Sequence, residues 1–141
     1  MLGSLKTSFI GYLTFRGGEG QISFLLHRIT GLGLLLFLTI HILDTALVYF
    51  APHLYEHALE LYRSTPFMLG EIGLVFCVLF HGLNGLRLAY IDLFANAVWD
   101  VKRFGRSVWI TFIITLILWI PAAIVMVYKL LYYNYGFLSG K

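Results

Sequence analysis

Three stretches of the chain are almost unbroken apolar runs: roughly residues 29–50, 68–94 and 108–131. A helix needs about 20 apolar residues to cross the hydrocarbon core of a bilayer. Each run therefore predicts a membrane-spanning helix, apolar on all sides rather than along one stripe. The segment between the first two reads PHLYEHALELYRSTP. Its Leu54, Ala58 and Leu61 recur on one face, which predicts a short amphipathic helix lying on the membrane. Pro66 suits the first turn of the second span. Between the second and third spans, residues 95–107 hold Trp99, Asp100, Lys102, Arg103 and Arg106, an interfacial loop. Residues 1–21 are glycine-rich with few periodic apolar positions, predicting an irregular or short interfacial segment, and Gln21–Gly31 lead into the first span; residues 1–28 together form the expected cytoplasmic or interfacial N-terminal segment, and residues 132–141 a tail on the opposite side. Pro121 is placed to kink the third span. Trp109 with Tyr128, Tyr132, Tyr133 and Tyr135 marks its two interfaces as an aromatic belt.

Composition agrees with this pattern. The 141 residues are 60% hydrophobic and 12% charged, whereas soluble domains are about half apolar and a quarter charged. The expected fold is all-α: one integral membrane domain of three helices, with no separate soluble domain. Three helices bury little interior, so a second membrane subunit is expected alongside. Cys77, the single cysteine, excludes an internal disulfide and reads as a small packed residue. The first apolar run is too long for the core of a signal peptide, so none is expected. Charge sets orientation. With the N-terminus inside, Lys6, Arg16, Arg28, Arg87, Lys102, Arg103 and Arg106 lie on the inner side, against Arg63, Lys129 and Lys141 outside. That asymmetry predicts N-in, C-out. No basic patch interleaved with aromatics points to nucleic acid.

Chemistry enters at the few polar groups inside the spans. In FCVLFHGLNGLRLAYID, His81 lies far from either end of an apolar run. An imidazole in hydrocarbon is costly unless its nitrogens find partners. Gly82 and Gly85 remove side-chain bulk beside it, and Arg87 and Asp92 return charge toward the inner surface. Such a helix suits a haem held edge-on, with His81 as an axial iron ligand. The first span contains His41 and, three residues on, Asp44 on the same face. Two readings stand for this pair: a second axial ligand with a carboxylate partner, or a hydrogen-bonded pair joining helices. Counted from the inner edge at 1.5 Å per residue, His41 lies about 20 Å deep and His81 about 16 Å. His27 and Arg28 stand where the chain enters the bilayer, either as an interfacial anchor or as part of a site. His53 and His57 have metal-ligand spacing with nothing nearby to complete a ligand set, and read as a solvated face.

Two stretches together carry a resemblance. SFLLHRITG before the first span and LFHGLNGLRLAYID closing the second resemble the C-type cytochrome b membrane-anchor subunit of succinate dehydrogenase, respiratory complex II. The family pattern is H-R-x-[ST]-G, here His27, Arg28, Thr30 and Gly31, then H-x-x-x-G-x-R with a following aspartate, here His81, Gly85, Arg87 and Asp92. The likeness covers about residues 23–92. It implies that His81 is an axial ligand of haem b, with the other ligand from a second anchor subunit. It implies a quinone site on the cytoplasmic side involving Arg28, Ser23 and His27, and Arg87 near a haem propionate. The chain departs from the pattern at two places: the family serine position, four before the arginine, is Phe24, and the second histidine position is Leu88. FLTIHILDTALV resembles the first helix of di-haem members, implying His41 as axial ligand of a second haem.

The expected function is therefore the anchor of a succinate:quinone oxidoreductase in a bacterial-type inner (cytoplasmic) membrane. It would hold one or two haems b and part of the site for menaquinone or ubiquinone. An iron–sulfur subunit, a flavoprotein subunit and a second anchor would be its partners. The chain would carry no succinate site and no catalytic residue of its own. Two alternatives stand beside this: another b-type electron-transfer cytochrome, or a haem-free helical assembly subunit. A haem spectrum separates the last from the others, and co-purification with covalent flavin separates the first two.

Overall fold

The computed structural model describes residues 18–94 and 101–136. They form α1 (Glu19–Phe50), α2 (Pro52–Tyr62), α3 (Thr65–Phe94) and α4 (Val101–Tyr135), with no strand among the described residues. Three of these are long and apolar enough to span a membrane: α1, α3 and the Gly105–Tyr135 part of α4. At 32, 30 and 35 residues the three long helices run about 45–52 Å at 1.5 Å per residue, longer than the hydrocarbon core of about 30 Å. Their ends therefore project into the interfaces.

The helix boundaries follow local chemistry. Pro52 disfavours helical backbone at the residue before it, and Ala51 sits at φ −152°, ψ 72°. That one residue ends α1, its N–H donating to the Leu47 carbonyl at 2.8 Å, and begins α2. Arg63 and Ser64 close α2, and the Ser64 hydroxyl donates to the Leu61 carbonyl at 2.7 Å. The Ser64 carbonyl then accepts from Met68 N–H at 3.1 Å, with Pro66 in the first turn of α3 as expected.

Two sequence expectations change here. The first long helix begins at Glu19, ten residues before the expected start of the span. The polar residues at its start broke the apolar run, yet Ser23, His27 and Thr30 recur at helical spacing and face α3. Likewise α4 begins at Val101, inside the expected loop, and continues to Tyr135, into the expected tail. The short helix α2 is present, with Leu54 and Leu61 exposed, while Tyr55 and Tyr62 are half-buried and line a groove against α1 and α3. Its packed face is aromatic. Residues 1–17, 95–100 and 137–141, with Lys6, Arg16, Trp99, Asp100 and Lys141, lie outside the described residues, as do the side chains of Lys102 and Arg103.

Helix α3 is central and packs on both α1 and α4. The buried interior is small and polar as much as apolar: Ser23, Thr30, Asn84, Thr111 and Thr115 beside Ile72, Phe80 and Leu130. Large apolar side chains such as Leu32, Leu36 and Ile117 face outward. This inversion is what lipid demands, because association in lipid relies on close packing and hydrogen bonds rather than on hiding apolar surface. Thr111 and Thr115 donate to carbonyls one turn back, at 3.0 and 2.8 Å, so each hydroxyl is satisfied within α4. Phe80 stacks on Phe76 and meets Phe112 edge-on. Trp119 Nε1 donates to the Ile72 carbonyl at 2.9 Å, joining α4 to α3. At the far end Asn134 donates to the Arg63 carbonyl and the Thr65 hydroxyl, pinning the end of α4 to the α2–α3 turn.

Candidate functional site: a histidine pair between α1 and α3

The spans α1 and α3 run antiparallel and each carries a histidine followed four residues later by glycine: His27 with Gly31, His81 with Gly85. The two pairs interlock. The edge of the His81 ring lies on Gly31, where an added Cβ would be 2.8 Å from its Cε1. The His27 ring lies over Gly85, whose added Cβ would be 3.7 Å from His27 Cε1. Between these contacts the two imidazoles stack, centroids 4.0 Å apart and planes 3° from parallel. Gly85, read from sequence as space for a flat ligand, is thus covered by the His27 ring. Gly82 has nothing within 4 Å of an added Cβ.

Hydrogen bonding then fixes the character of His81. Its Nδ1 is 3.1 Å from the His27 carbonyl oxygen and 3.4 Å from Thr30 Oγ1. The Thr30 hydroxyl proton is directed at the Leu26 and His27 carbonyls, at 2.9 and 3.0 Å. A carbonyl only accepts, so this network assigns the proton to His81 Nδ1. The lone pair is then on Nε2. This is the arrangement that orients metal-binding histidines: one nitrogen donates to a fixed acceptor while the other remains a base.

A second polar cluster lies nearer the N-terminal end of α1 and the C-terminal end of α3. Asn84 is 1% exposed. Its Oδ1 accepts from Ser23 Oγ of α1 at 2.9 Å and from Arg87 Nη1 at 3.0 Å. Arg87 Nε donates to Ser107 Oγ of α4 at 2.8 Å. One amide thereby links all three spans. Sequence reading placed Arg87 at the inner surface; it is half-buried and turned into the bundle, about 9 Å along α3 from His81. Neither Asn84 nor Ser107 was singled out from sequence. The available signal was a lone amide between His81 and Arg87 in an apolar run.

The residues expected around a quinone separate onto two faces of α1. Ser23 and His27 face α3. Arg28 is exposed on another side, its guanidinium 4.2 Å from the centroid of the Phe24 ring. Phe24 occupies the position four before the arginine, so an aromatic face underlies the cation where the family pattern has a hydroxyl.

His41 lies in the C-terminal half of α1. It is exposed and stacks on Phe37 with centroids 5.4 Å apart. His41, Asp44 and Glu71 line a groove of about 700 Å³ beneath α2, with Tyr55 and Tyr62 on its wall. Asp44 Oδ2 is buried without a hydrogen-bond partner. Among the described residues no hydrogen bond joins His41 to Asp44 or to another helix. The depth estimate also changes. His81 is level with residues 27–31 of α1, so His41 lies ten to fourteen residues beyond it, about 15–21 Å along the axis. Two histidine levels are present, one in each half of the bundle. The earlier count failed because α1 begins at Glu19 rather than at residue 29. His53 and His57 are exposed on α2, His57 lying 3.7 Å from Glu60.

Three long apolar helices around a polar seam, with histidines and an arginine inside the bundle, define an integral membrane subunit of the helical-anchor class. The model of the Succinate dehydrogenase/Fumarate reductase transmembrane subunit family matches residues 13–122, and the chain belongs to that family. It is 37% identical over 113 residues to the Succinate dehydrogenase 2 membrane subunit SdhC of Mycobacterium tuberculosis, covering 79% of this chain and 80% of that one.

Proposed function

We propose that this chain is the haem b-holding anchor of a succinate:quinone oxidoreductase, carrying electrons from an iron–sulfur subunit toward membrane quinone. The observation that carries the reading is the state of His81: Nδ1 tied to the His27 carbonyl, the ring edge seated on Gly31, and Nε2 left as the basic nitrogen. Those residues fit an axial iron ligand. The haem, when bound, supplies a one-electron carrier inside the membrane. The chain's own residues orient the ligand and neutralise charge. His81 would hold the iron from this chain, and a second anchor subunit would supply a further ligand. Arg87, fixed by Asn84 and Ser107, provides a planar cation suited to a propionate carboxylate. Arg28, exposed over Phe24, offers a donor to a quinone oxygen as negative charge develops there.

Membership in the family favours partners of the succinate dehydrogenase type: a flavoprotein, an iron–sulfur subunit and a second anchor. The charge asymmetry favours the α1 N-terminus on the cytoplasmic side, where the iron–sulfur subunit would dock. The outer groove favours a second haem on His41. It is separated from His81 by about 15–21 Å along the axis, and its volume lies in the range of ligand pockets. Purification of the membrane complex tests the whole reading. Covalent flavin, iron–sulfur centres and haem b should co-purify with the chain. Isolation with haem but without flavin would assign it to another cytochrome assembly.

A further inference from the structure

We infer that His27 is a positioning residue for His81, setting the plane of that imidazole by ring stacking. This rests on the reading of His81 as an iron ligand and goes beyond it. The His27 ring forms no hydrogen bond among the described residues, and its Nδ1 is buried without a partner. Burying an unpaired ring nitrogen is unfavourable, so the nitrogen does not hold the ring in place. What holds it is shape. One face lies against His81 at 4.0 Å and 3°, and the ring edge passes over Gly85 at ordinary contact distance, 3.7 Å from where a Cβ would stand.

The same residue restrains His81 in two directions. Its backbone carbonyl holds Nδ1 at 3.1 Å, which fixes where the ring edge points. Its side chain covers one face, which prevents rotation about the bond that carries the ring. Gly31, one turn along, lies against the same Nδ1–Cε1 edge that the carbonyl holds. A ligand imidazole free to turn about its Cβ–Cγ bond sweeps its plane across the iron. One clamped between a carbonyl, a glycine and a parallel ring cannot. Of the two glycines at this spacing, Gly31 is the one the fit requires: a Cβ there would meet His81 at 2.8 Å, whereas one at Gly85 would touch His27 at an ordinary 3.7 Å. Stacking requires a flat ring at position 27, not a nitrogen.

The test is the haem signature of the assembled complex with substitutions at position 27. His27→Ala removes the stack while leaving the carbonyl. It should broaden and shift the low-spin EPR signal and lower haem affinity about ten-fold, the usual scale for disturbing a group that orients a metal ligand. His27→Phe, flat and without nitrogen, should restore both toward wild type. If the larger ring prevents assembly, His27→Asn, which keeps a side-chain nitrogen without a ring, should behave like His27→Ala; restoration there would overturn the inference. An unaltered EPR signal and affinity in His27→Ala overturn the inference. So does equal loss in the Ala and Phe variants, which would mean that a ring nitrogen is required. His81→Ala measured alongside separates failure of the underlying reading: a retained haem signal there removes the ligand itself.

Discussion

The substitution Gly31→Ala sets two opposed effects against each other. Inside a helix, replacing glycine by alanine is favourable by about 1 kcal/mol through backbone entropy. At position 31 the new methyl would lie 2.8 Å from His81 Cε1, where ordinary contact begins at 3.4 Å, so the ring must retreat by about 0.6 Å. Moving away from α1 stretches the 3.1 Å bond from Nδ1 to the His27 carbonyl beyond useful hydrogen-bond length. Overpacking of this kind costs about 1–3 kcal/mol, enough to cancel or reverse the propensity gain. Losing the bond that orients a metal-binding histidine lowers metal affinity about 10–100-fold. Gly73→Ala is the control: it lies on α3 with nothing within 4 Å of the added Cβ and keeps the propensity gain. The assay is thermal unfolding of the detergent-purified complex together with haem per covalent flavin. Gly31→Ala should melt below Gly73→Ala and lose haem. Equal melting and full haem in both would refute the packing argument.

Replacing Asn84 by leucine removes the acceptor shared by Ser23 and Arg87, and should destabilise the bundle by about 1–3 kcal/mol for a buried polar group left unpaired; a chemical-denaturation series on the complex measures it. Arg28→Leu should lower quinone reduction while succinate oxidation with a soluble acceptor persists, whereas parallel loss of both in an intact complex would make Arg28 structural. If His41 holds a second haem, native complex should contain two haems per flavin by pyridine haemochrome, and His41→Leu should remove one of them. A native ratio of one ends that assignment.

How far the sequence could be read depended on the physical signal at each place. The three spans were legible because lipid imposes long apolar runs, α2 from the spacing of Leu54, Ala58 and Leu61, and the start of α3 from Pro66. The first ten residues of α1 were not, because Gln21, Ser23, His27 and Arg28 look like the edge of a membrane helix. They are helix because the polar face has somewhere to go: Ser23 bonds Asn84, and His27 stacks on His81. That single boundary also misplaced the depth of His41 relative to His81.

The candidate site divides in the same way. His81 stood out because an imidazole in hydrocarbon demands an explanation. Its partner residues did not, because a contact between helices leaves only a faint trace in either one. The trace was the same four-residue spacing of histidine and glycine in two antiparallel spans. For Arg28 and Ser23, helix geometry carries the information: residues five apart differ by about 140° around the axis. They therefore face different neighbours, which nearness in sequence conceals.

The most direct measurement is a reduced-minus-oxidised spectrum of the purified complex carrying His81→Ala, with flavin and iron–sulfur content used to confirm assembly. The account predicts that the b-type haem signal assigned to His81 disappears while the other subunits remain attached. An unchanged signal in an assembled complex would contradict it and would leave the histidine pair as a contact that only joins α1 to α3.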